Sequence, residues 1–216
     1  WMRLSINAIG EGGRTVRIFG AKQDITADRH AMESLRRRAE IDALTGLANR
    51  SVFQARYREI VHDGLNHAGA SALVLIDLDR FKEMNDTFGH AAGDACLCEV
   101  AMRLRRAFHN AGLVARIGGD EFALILRAPV IPAQIARVLQ ETVVMLCRPL
   151  FWNGLRLEIG ASIGAALVGR PHRRRITELF AEADSALYDA KAAGRNRVYL
   201  FSDEGTSRSA GLEAIA

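Results

Sequence analysis

Two short runs at the start of the chain predict a β-hairpin. Residues 3–9 and 14–19 are strand-like, and the segment 10–13 between them contains three glycines. Glycine tolerates the positive φ values of hairpin loops, so this joint favours a tight turn between two antiparallel strands.

The next segment has the pattern of an amphipathic helix with a narrow apolar stripe. Thr26 or Asp28 can cap its start, and Met32, Leu35 and Ala39 follow at spacings of three and four between charged positions. A stripe this narrow suits the seam between two helices. It also suits a solvated linker helix that touches only its own domain, and the pattern leaves both readings open.

From about residue 42 helical and strand-like patterns alternate. The unbroken apolar run 71–76 is short enough for a buried strand, and the run 155–168 should bend near Gly160 or Gly164. Helical periodicity covers 49–62, 91–108, 132–147 and 176–193, and further strand-like runs cover 113–117, 122–126 and 198–201. Interleaved units of this kind predict an α/β (α+β) fold with helices packed on a sheet.

Composition excludes several classes of protein. The 216 residues are 49% hydrophobic and 25% charged, which argues against intrinsic disorder. Three cysteines without a CxxC spacing argue against a disulfide framework and suit a reducing, cytoplasmic compartment. No apolar run is long enough for a membrane segment. The net charge of +4 suggests anionic partners, and only Lys22, Lys82 and Lys191 are lysines among 29 basic residues.

Acidic residues stand where strands should end. Asp77 and Asp79 follow the buried run, and Asp120 and Glu121 lie between two other predicted strands. Two acidic clusters on neighbouring strand ends could hold a hard divalent cation through oxygen atoms. Acidic residues also favour turns for purely structural reasons, so this pattern alone indicates a metal site only weakly.

Groups suited to phosphate lie close to these acids. Gly118 and Gly119 would let backbone N–H groups approach a ligand, because neither carries a Cβ. Lys191 and Arg195 are four residues apart at the end of the last predicted helix and would project from one face, where they suit a polyphosphate. Basic residues at a helix C-terminus also stabilise the helix itself, which is the structural alternative.

Other catalytic motifs are absent or out of context. The sequence contains neither GxGxxG nor GxxxxGK[ST], so Rossmann and P-loop nucleotide sites are excluded. Residues 160–164 match the GxSxG elbow of serine hydrolases, which must join a strand to a helix. Here the pentad lies inside a strand-like run, so Ser162 is expected to pack rather than to act as a nucleophile.

Four motif blocks in order resemble the GGDEF family of bacterial diguanylate cyclases. The signature GGDEF ends the run 116–122. The family patterns DxLTGLxNR, DxDxFKxxND…GHxxGD and ADxALYxAKxxGRN are matched by DALTGLANR at 42–50, DLDRFKEMND at 77–86 with GH at 89–90 and GD at 93–94, and ADSALYDAK at 183–191 with GRN at 194–196. The resemblance covers residues 42–201.

The resemblance implies condensation of two GTP into cyclic di-GMP, with release of pyrophosphate, on a mostly antiparallel sheet like the palm of nucleotidyl cyclases and polymerases. It implies Mg²⁺, or Mn²⁺, held by Asp77, the Leu78 carbonyl, Asp120 and Glu121. Catalytic roles would fall to Asp120, Glu121 and Lys191. GTP would be bound by Phe81, Lys82, Asn85, Asp94, Gly118, Gly119, Lys191 and Arg195, with Asn85 and Asp94 reading the guanine edge.

The family also implies a domain order and partners. Residues 1–26 resemble the end of a PAS sensor domain whose main part lies upstream, and 27–41 would be a signalling helix that pairs subunits. The cyclase domain would span 42–201, followed by a flexible tail at 202–216. Expected partners are GTP, a second copy facing the catalytic side, and the upstream sensor, rather than nucleic acid. The location would be cytoplasmic, or tethered to a membrane by the upstream region.

One departure concerns regulation. Many family members carry an inhibitory RxxD site for product, ending five residues before the signature. The corresponding residues 109–112 read HNAG and lack both the Arg and the Asp. A catalytically silent GTP-binding or interaction module is the alternative to an enzyme, although no signature carboxylate is lost.

Overall fold

The computed structural model describes the chain except residues 12–13, 29, 31–38, 65–69, 111, 169–175, 202–206 and 210–216. It divides into two compact units, Trp1–Glu40 and Ile41–Ala216. No helix among the described residues is long and apolar enough to cross a membrane.

The first unit contains the predicted hairpin. Strands β1 (Met2–Glu11) and β2 (Arg14–Asp24) pair antiparallel, with a register shift between Ile9 and Gly10. The hairpin prediction is confirmed, and β2 runs five residues further than expected. Residues 26–28, 30 and 39–40 are helical, whereas Met32 and Leu35 of the predicted apolar stripe lie outside the described residues.

The second unit is built on one mixed sheet. Its helices are α1 (Arg50–Gly64), α2 (Phe81–Phe88), α3 (His90–Ala107), α4 (Pro132–Leu146) and α5 (Ile176–Ala192). Its strands are β3 (Ala70–Asp79), β4 (Leu113–Arg116), β5 (Glu121–Val130), β6 (Leu150–Trp152), β7 (Leu155–Leu157), β8 (Gly160–Val168), β9 (Val198–Phe201) and β10 (Ser207–Ser209). The main sheet has the order β10-β9-β8-β3-β5-β4, and all its pairs are antiparallel except β8–β9. The predicted α+β fold with a mostly antiparallel sheet is confirmed.

Residues 72–76 of β3 are all apolar because both faces of the sheet are covered there. Val74 and Ile76 belong to a core with residues of α3 and α4, whereas Leu73 and Leu75 belong to a core with residues of α1 and α5. Side chains alternate between the two faces of a strand, so a central strand with helices on both sides has no solvated face. This burial fixes the position of the β3 end, where the first acidic cluster lies.

Three local differences from the sequence predictions have physical reasons. The run 155–168 is interrupted, because β7 pairs with β6 in a separate hairpin before β8 begins at Gly160. Helix α2 was not predicted, since it is only eight residues long and buries one side chain, Met84. Ser207–Ser209 pair with β9, although the sequence predicts a flexible tail there.

Helix α5 lies directly on β8 at Gly164. A Cβ at this glycine would overlap main-chain atoms of Ala183 and Leu187. Main-chain atoms cannot rotate away as a side chain can, so any larger residue must push α5 off the sheet.

We therefore expect Gly164→Ala to lower the free energy of unfolding by about 3 kcal/mol or more. Gly119→Ala is the matched control, because a Cβ there meets nothing within 4 Å. Urea unfolding followed by circular dichroism measures both variants. A loss below about 1 kcal/mol for Gly164→Ala would contradict this tight contact.

Candidate active site

The sheet brings the two acidic clusters together. Asp77, near the end of β3, pairs in register with Glu121, the first residue of β5. The Leu78 N–H donates a hydrogen bond to the Asp120 carbonyl oxygen at 3.2 Å. The two clusters expected at neighbouring strand ends, Asp77 with Asp79 and Asp120 with Glu121, thus lie on the paired strands β3 and β5 or in the turn before β5.

Asp77 lies in an environment that disfavours its charge. Its side chain is 13% exposed, and the Lys191 Nζ atom lies 2.7 Å from its Oδ2 atom. Burial raises the pKa of Asp77 above its ordinary value, and the negative charges of Asp120 and Asp79 raise it further. The Lys191 ammonium only partly offsets these effects. An edge with this excess of negative charge favours an additional cation.

The donor set suits a hard metal ion but is small. Among the described residues no three His, Cys, Asp or Glu side chains group as metal ligands. The side-chain oxygens at the edge come from Asp77 and Asp120, and the Leu78 carbonyl could supply a third oxygen. Mg²⁺ takes one or two carboxylates and completes its shell with water and substrate phosphate, so these donors fit it. The Glu121 carboxylate instead lies over Gly118, where a Cβ would overlap its oxygen.

Arg116 ties the signature turn, residues 118–121, to Asp42 through hydrogen bonds. The Arg116 guanidinium donates to the Gly119 carbonyl oxygen at 3.1 and 2.8 Å, and to Asp42 Oδ1 at 3.1 Å. Burial would raise the pKa of Asp42, but hydrogen bonds from Thr45 and Arg116 outweigh it and lower that pKa. A Cβ on Gly119 would face open space, so a ligand can approach the backbone there. Nothing in the sequence predicted this Asp42–Arg116 contact, although both residues lie in the matched motifs.

A second group of predicted residues meets between α2 and α3. The Asn85 Oδ1 atom is buried and has no hydrogen-bond partner in the described part of the chain. It occupies the space above Gly93, where a Cβ would overlap it and would lie 3.2 Å from Phe81 Cζ. Asp94 follows Gly93 on α3 and is exposed. A buried acceptor without a donor indicates a missing N–H partner, which a purine edge could supply.

The predicted phosphate-binding cations are arranged differently from the expectation. Lys82 is exposed on the first turn of α2, and Lys191 lies on the last turn of α5. Arg195, however, does not continue that helix, so the predicted shared helix face is wrong. Helix α5 ends at Ala192, and Gly194, Arg195 and Asn196 have φ values of 111°, 63° and 52°.

Ser162 has a structural partner, as the packing interpretation predicted. It is fully buried within β8, and its Oγ atom donates to Asp79 Oδ1 at 2.7 Å. No strand-to-helix elbow occurs at residues 160–164, because β8 continues to Val168.

Residues 39–197 match the family model described as "Diguanylate cyclase, GGDEF domain". The chain belongs to the GGDEF family. It is 37% identical to the probable diguanylate cyclase DgcE of Escherichia coli over 83% of this chain, and 31% identical to the cyclic di-GMP phosphodiesterase PdeR of Escherichia coli over 92%. These alignments span 16% of DgcE and 30% of PdeR, so the chain is much shorter than either relative.

A solved structure of the coiled coil and GGDEF domain of DgcB from Caulobacter crescentus, in complex with c-di-GMP, superposes with a TM-score of 0.74. That comparison has 32% sequence identity and covers 82% of this chain and 93% of the DgcB chain. Membership of the GGDEF family agrees with the acidic residues at the strand ends, the glycine turn and the two flanking lysines.

Proposed function

We propose that this GGDEF chain is a diguanylate cyclase domain that condenses two GTP into cyclic di-GMP with release of pyrophosphate. The observation that carries the proposal is the meeting of Asp77, Asp120 and Lys191 at the edge beside the signature turn. Such a site can bind a metal and a polyphosphate in one place. The resemblance of the chain to DgcE and DgcB supports the same chemistry.

Each step can be assigned to a group of this chain. In one condensation, the 3′ oxygen of a ribose attacks the α-phosphorus of a second GTP, and the bond to pyrophosphate breaks. Asp120 would accept the hydroxyl proton, with Glu121 as its neighbour, and Lys191, Lys82 and Arg195 would bind the departing phosphates. Repeating the attack in the other direction closes the cyclic product.

Asp77, Asp120 and the Leu78 carbonyl would hold the metal, which we propose to be Mg²⁺, with Mn²⁺ as a substitute. When bound, the metal would neutralise phosphate charge and lower the pKa of the 3′-hydroxyl. Lys191 already neutralises Asp77 in part, so this residue would serve both the metal edge and the phosphates.

Guanine recognition is assigned to Asn85 and Asp94. Guanine carries two donors, N1–H and N2–H₂, where adenine offers none at the corresponding ring nitrogen. A carboxylate at Asp94 and the unpaired acceptor of Asn85 can take both donors, with Phe81 beside them. The site is thus proposed to prefer GTP over ATP.

The reaction requires two sites that face each other, because one domain would hold one GTP. We propose a homodimer that joins two copies through their catalytic faces. We further propose that residues 1–26 end a PAS-like sensor, 27–41 transmit its signal, 42–201 form the cyclase and 202–216 form a tail. A cytoplasmic location is part of this proposal, because GTP is the proposed substrate.

A silent GTP-binding or interaction module is the second candidate, since PdeR, a phosphodiesterase by name, matches 92% of this chain. Titration with GTP and ATP, combined with mass spectrometry of the products, separates the two. A cyclase binds GTP and yields cyclic di-GMP with Mg²⁺ but not with EDTA. A silent module binds GTP and returns it unchanged, and equal affinity for ATP would refute the guanine assignment.

Product inhibition offers a further test. His109 and Asn110 are exposed in the turn after α3, at the positions where the inhibitory Arg-containing motif would stand. We expect turnover to be unaffected by micromolar cyclic di-GMP, because neither residue supplies a bidentate guanidinium for phosphate. Initial rates with added product measure this. Strong inhibition that is relieved in His109→Ala or Asn110→Ala would contradict it.

A further inference from the structure

Asp79 is a buried carboxylate that connects three segments of the chain. It is the last residue of β3, two positions after Asp77, and is 8% exposed. Its Oδ1 atom accepts from the Ser162 hydroxyl at 2.7 Å, and its Oδ2 atom accepts from the Asn196 backbone N–H at 2.9 Å. Gly160 leaves room for it, since a Cβ there would lie 2.9 Å from Oδ2. Each of the two carboxylate oxygens of Asp79 thus accepts a hydrogen bond from another segment of the chain.

The Asn196 N–H belongs to an unusual piece of backbone. Gly194, Arg195 and Asn196 all have positive φ. This backbone conformation is unfavourable for non-glycine residues, so other contacts must stabilise it at Arg195 and Asn196. The Arg195 N–H donates to the Ala190 carbonyl at 3.0 Å, and Cys147 Sγ donates to Asn196 Oδ1 at 2.6 Å. Asp79 supplies the charged acceptor for this turn.

We propose that Asp79 is a positioning residue for the triphosphate, acting through the Arg195 turn. This rests on the proposed function, in which Arg195 binds the terminal phosphates. The two carboxylates at the β3 end would then have different roles. Asp77 contacts Lys191 directly, whereas Asp79 fixes the backbone that carries Arg195.

This role needs hydrogen-bond geometry rather than negative charge. An asparagine at position 79 can keep its carbonyl oxygen on the Asn196 N–H, and its amide can donate to Ser162, because a hydroxyl accepts as well as donates. A metal ligand would behave differently, since an amide replaces a carboxylate poorly there. Asp79→Asn therefore separates positioning from metal binding.

The experiment compares Asp79→Ala, Asp79→Asn and Ser162→Ala by titration with GMP and with the non-reactive α,β-methylene analogue of GTP. We expect Asp79→Ala to lower the affinity for the GTP analogue about tenfold, because only terminal phosphates reach Arg195. The affinity for GMP should stay within about twofold of that of the unchanged protein. Asp79→Asn should stay within about threefold of the unchanged protein for both ligands. Ser162→Ala, the matched control, should lower the melting temperature without changing either affinity.

Two results would overturn the proposal. If Asp79→Asn and Asp79→Ala lose the same affinity for the analogue, Asp79 acts through its charge or as a metal ligand. If a variant loses the same affinity for GMP as for the analogue, the substitution damages the site in general. Hydrogen exchange of the Asn196 amide needs no nucleotide: it should quicken in Asp79→Ala and stay slow in Asp79→Asn and Ser162→Ala. Slow exchange in Asp79→Ala would also overturn the role. None of these readouts requires turnover, so absence of cyclic product would refute the proposed function alone.

Discussion

Replacing Asp120 with alanine should abolish cyclic di-GMP formation, with turnover lower by about a thousandfold or more. Asp120 is the proposed proton acceptor, and its carboxylate is one of two side-chain oxygen donors assigned to the metal. Its charge also acts on Asp77, whose pKa it helps to raise, so the two carboxylates share one electrostatic site. Removing Asp120 therefore removes both a metal donor and the base.

The fold should survive this change, because no core contact is lost. The hydrogen bond from Leu78 uses the Asp120 carbonyl, which alanine retains. Glu141→Ala is the matched control, since it removes an exposed carboxylate from α4 that pairs with the exposed Arg137. Circular dichroism and initial rates should show both variants folded and only Asp120→Ala inactive. Activity above about a tenth of the unchanged protein in Asp120→Ala would refute its assignment.

Gly93→Ala should raise the KM for GTP about a hundredfold. The new Cβ would overlap Asn85 Oδ1, so the amide must leave the position in which it can accept from guanine. Phe81 Cζ, at 3.2 Å from the same Cβ, leaves little room for adjustment. The effect should be much smaller for ATP, which gains nothing from that acceptor.

The double variant Gly93→Ala with Asn85→Ala distinguishes lost recognition from lost stability. Removing the Asn85 side chain relieves the overlap, so the melting temperature should recover while the KM for GTP stays high. A double-mutant cycle of this kind isolates the contact because the two residues touch. An unchanged KM in Gly93→Ala would contradict the placement of guanine beside Asn85.

The sequence predicted the helices and strands in which buried residues recur at a regular spacing. The run 71–76 was recognisable because β3 is covered on both faces there. The helical pattern of 49–62 corresponds to α1, and the structure adds its cap: Asn49 Oδ1 accepts from the Ser51 and Val52 N–H groups at 3.0 and 3.1 Å. Helix α2 and the hairpin of β6 and β7 are too short to establish a period.

The site was predictable only in part. The acids at strand ends and the glycine turn could be placed because sheet edges gather such residues. The roles of Asp79 and of Arg116 could not, since their partners are 83, 117 and 74 residues away in sequence. The prediction that Lys191 and Arg195 share a helix face was wrong, because the positive φ of Gly194 ends the helical geometry before Arg195.

The scarcity of lysine pointed to the same region. Lys191 contacts Asp77, and Lys82 lies on α2, which follows the β3 end directly. Lys22 lies in the separate N-terminal hairpin. The anionic partner suggested by the net charge is therefore proposed to be GTP bound between Lys82 and Lys191.

We propose above all that this chain makes cyclic di-GMP from GTP at the edge formed by Asp77 and Asp120. The most direct measurement is mass spectrometry of the products formed from GTP and Mg²⁺ over a range of protein concentrations. We predict cyclic di-GMP and pyrophosphate, with a rate per protomer that rises with concentration as pairs form and that vanishes with EDTA or in Asp120→Ala. Unchanged GTP at every concentration, including those at which the protein is dimeric, would contradict the claim.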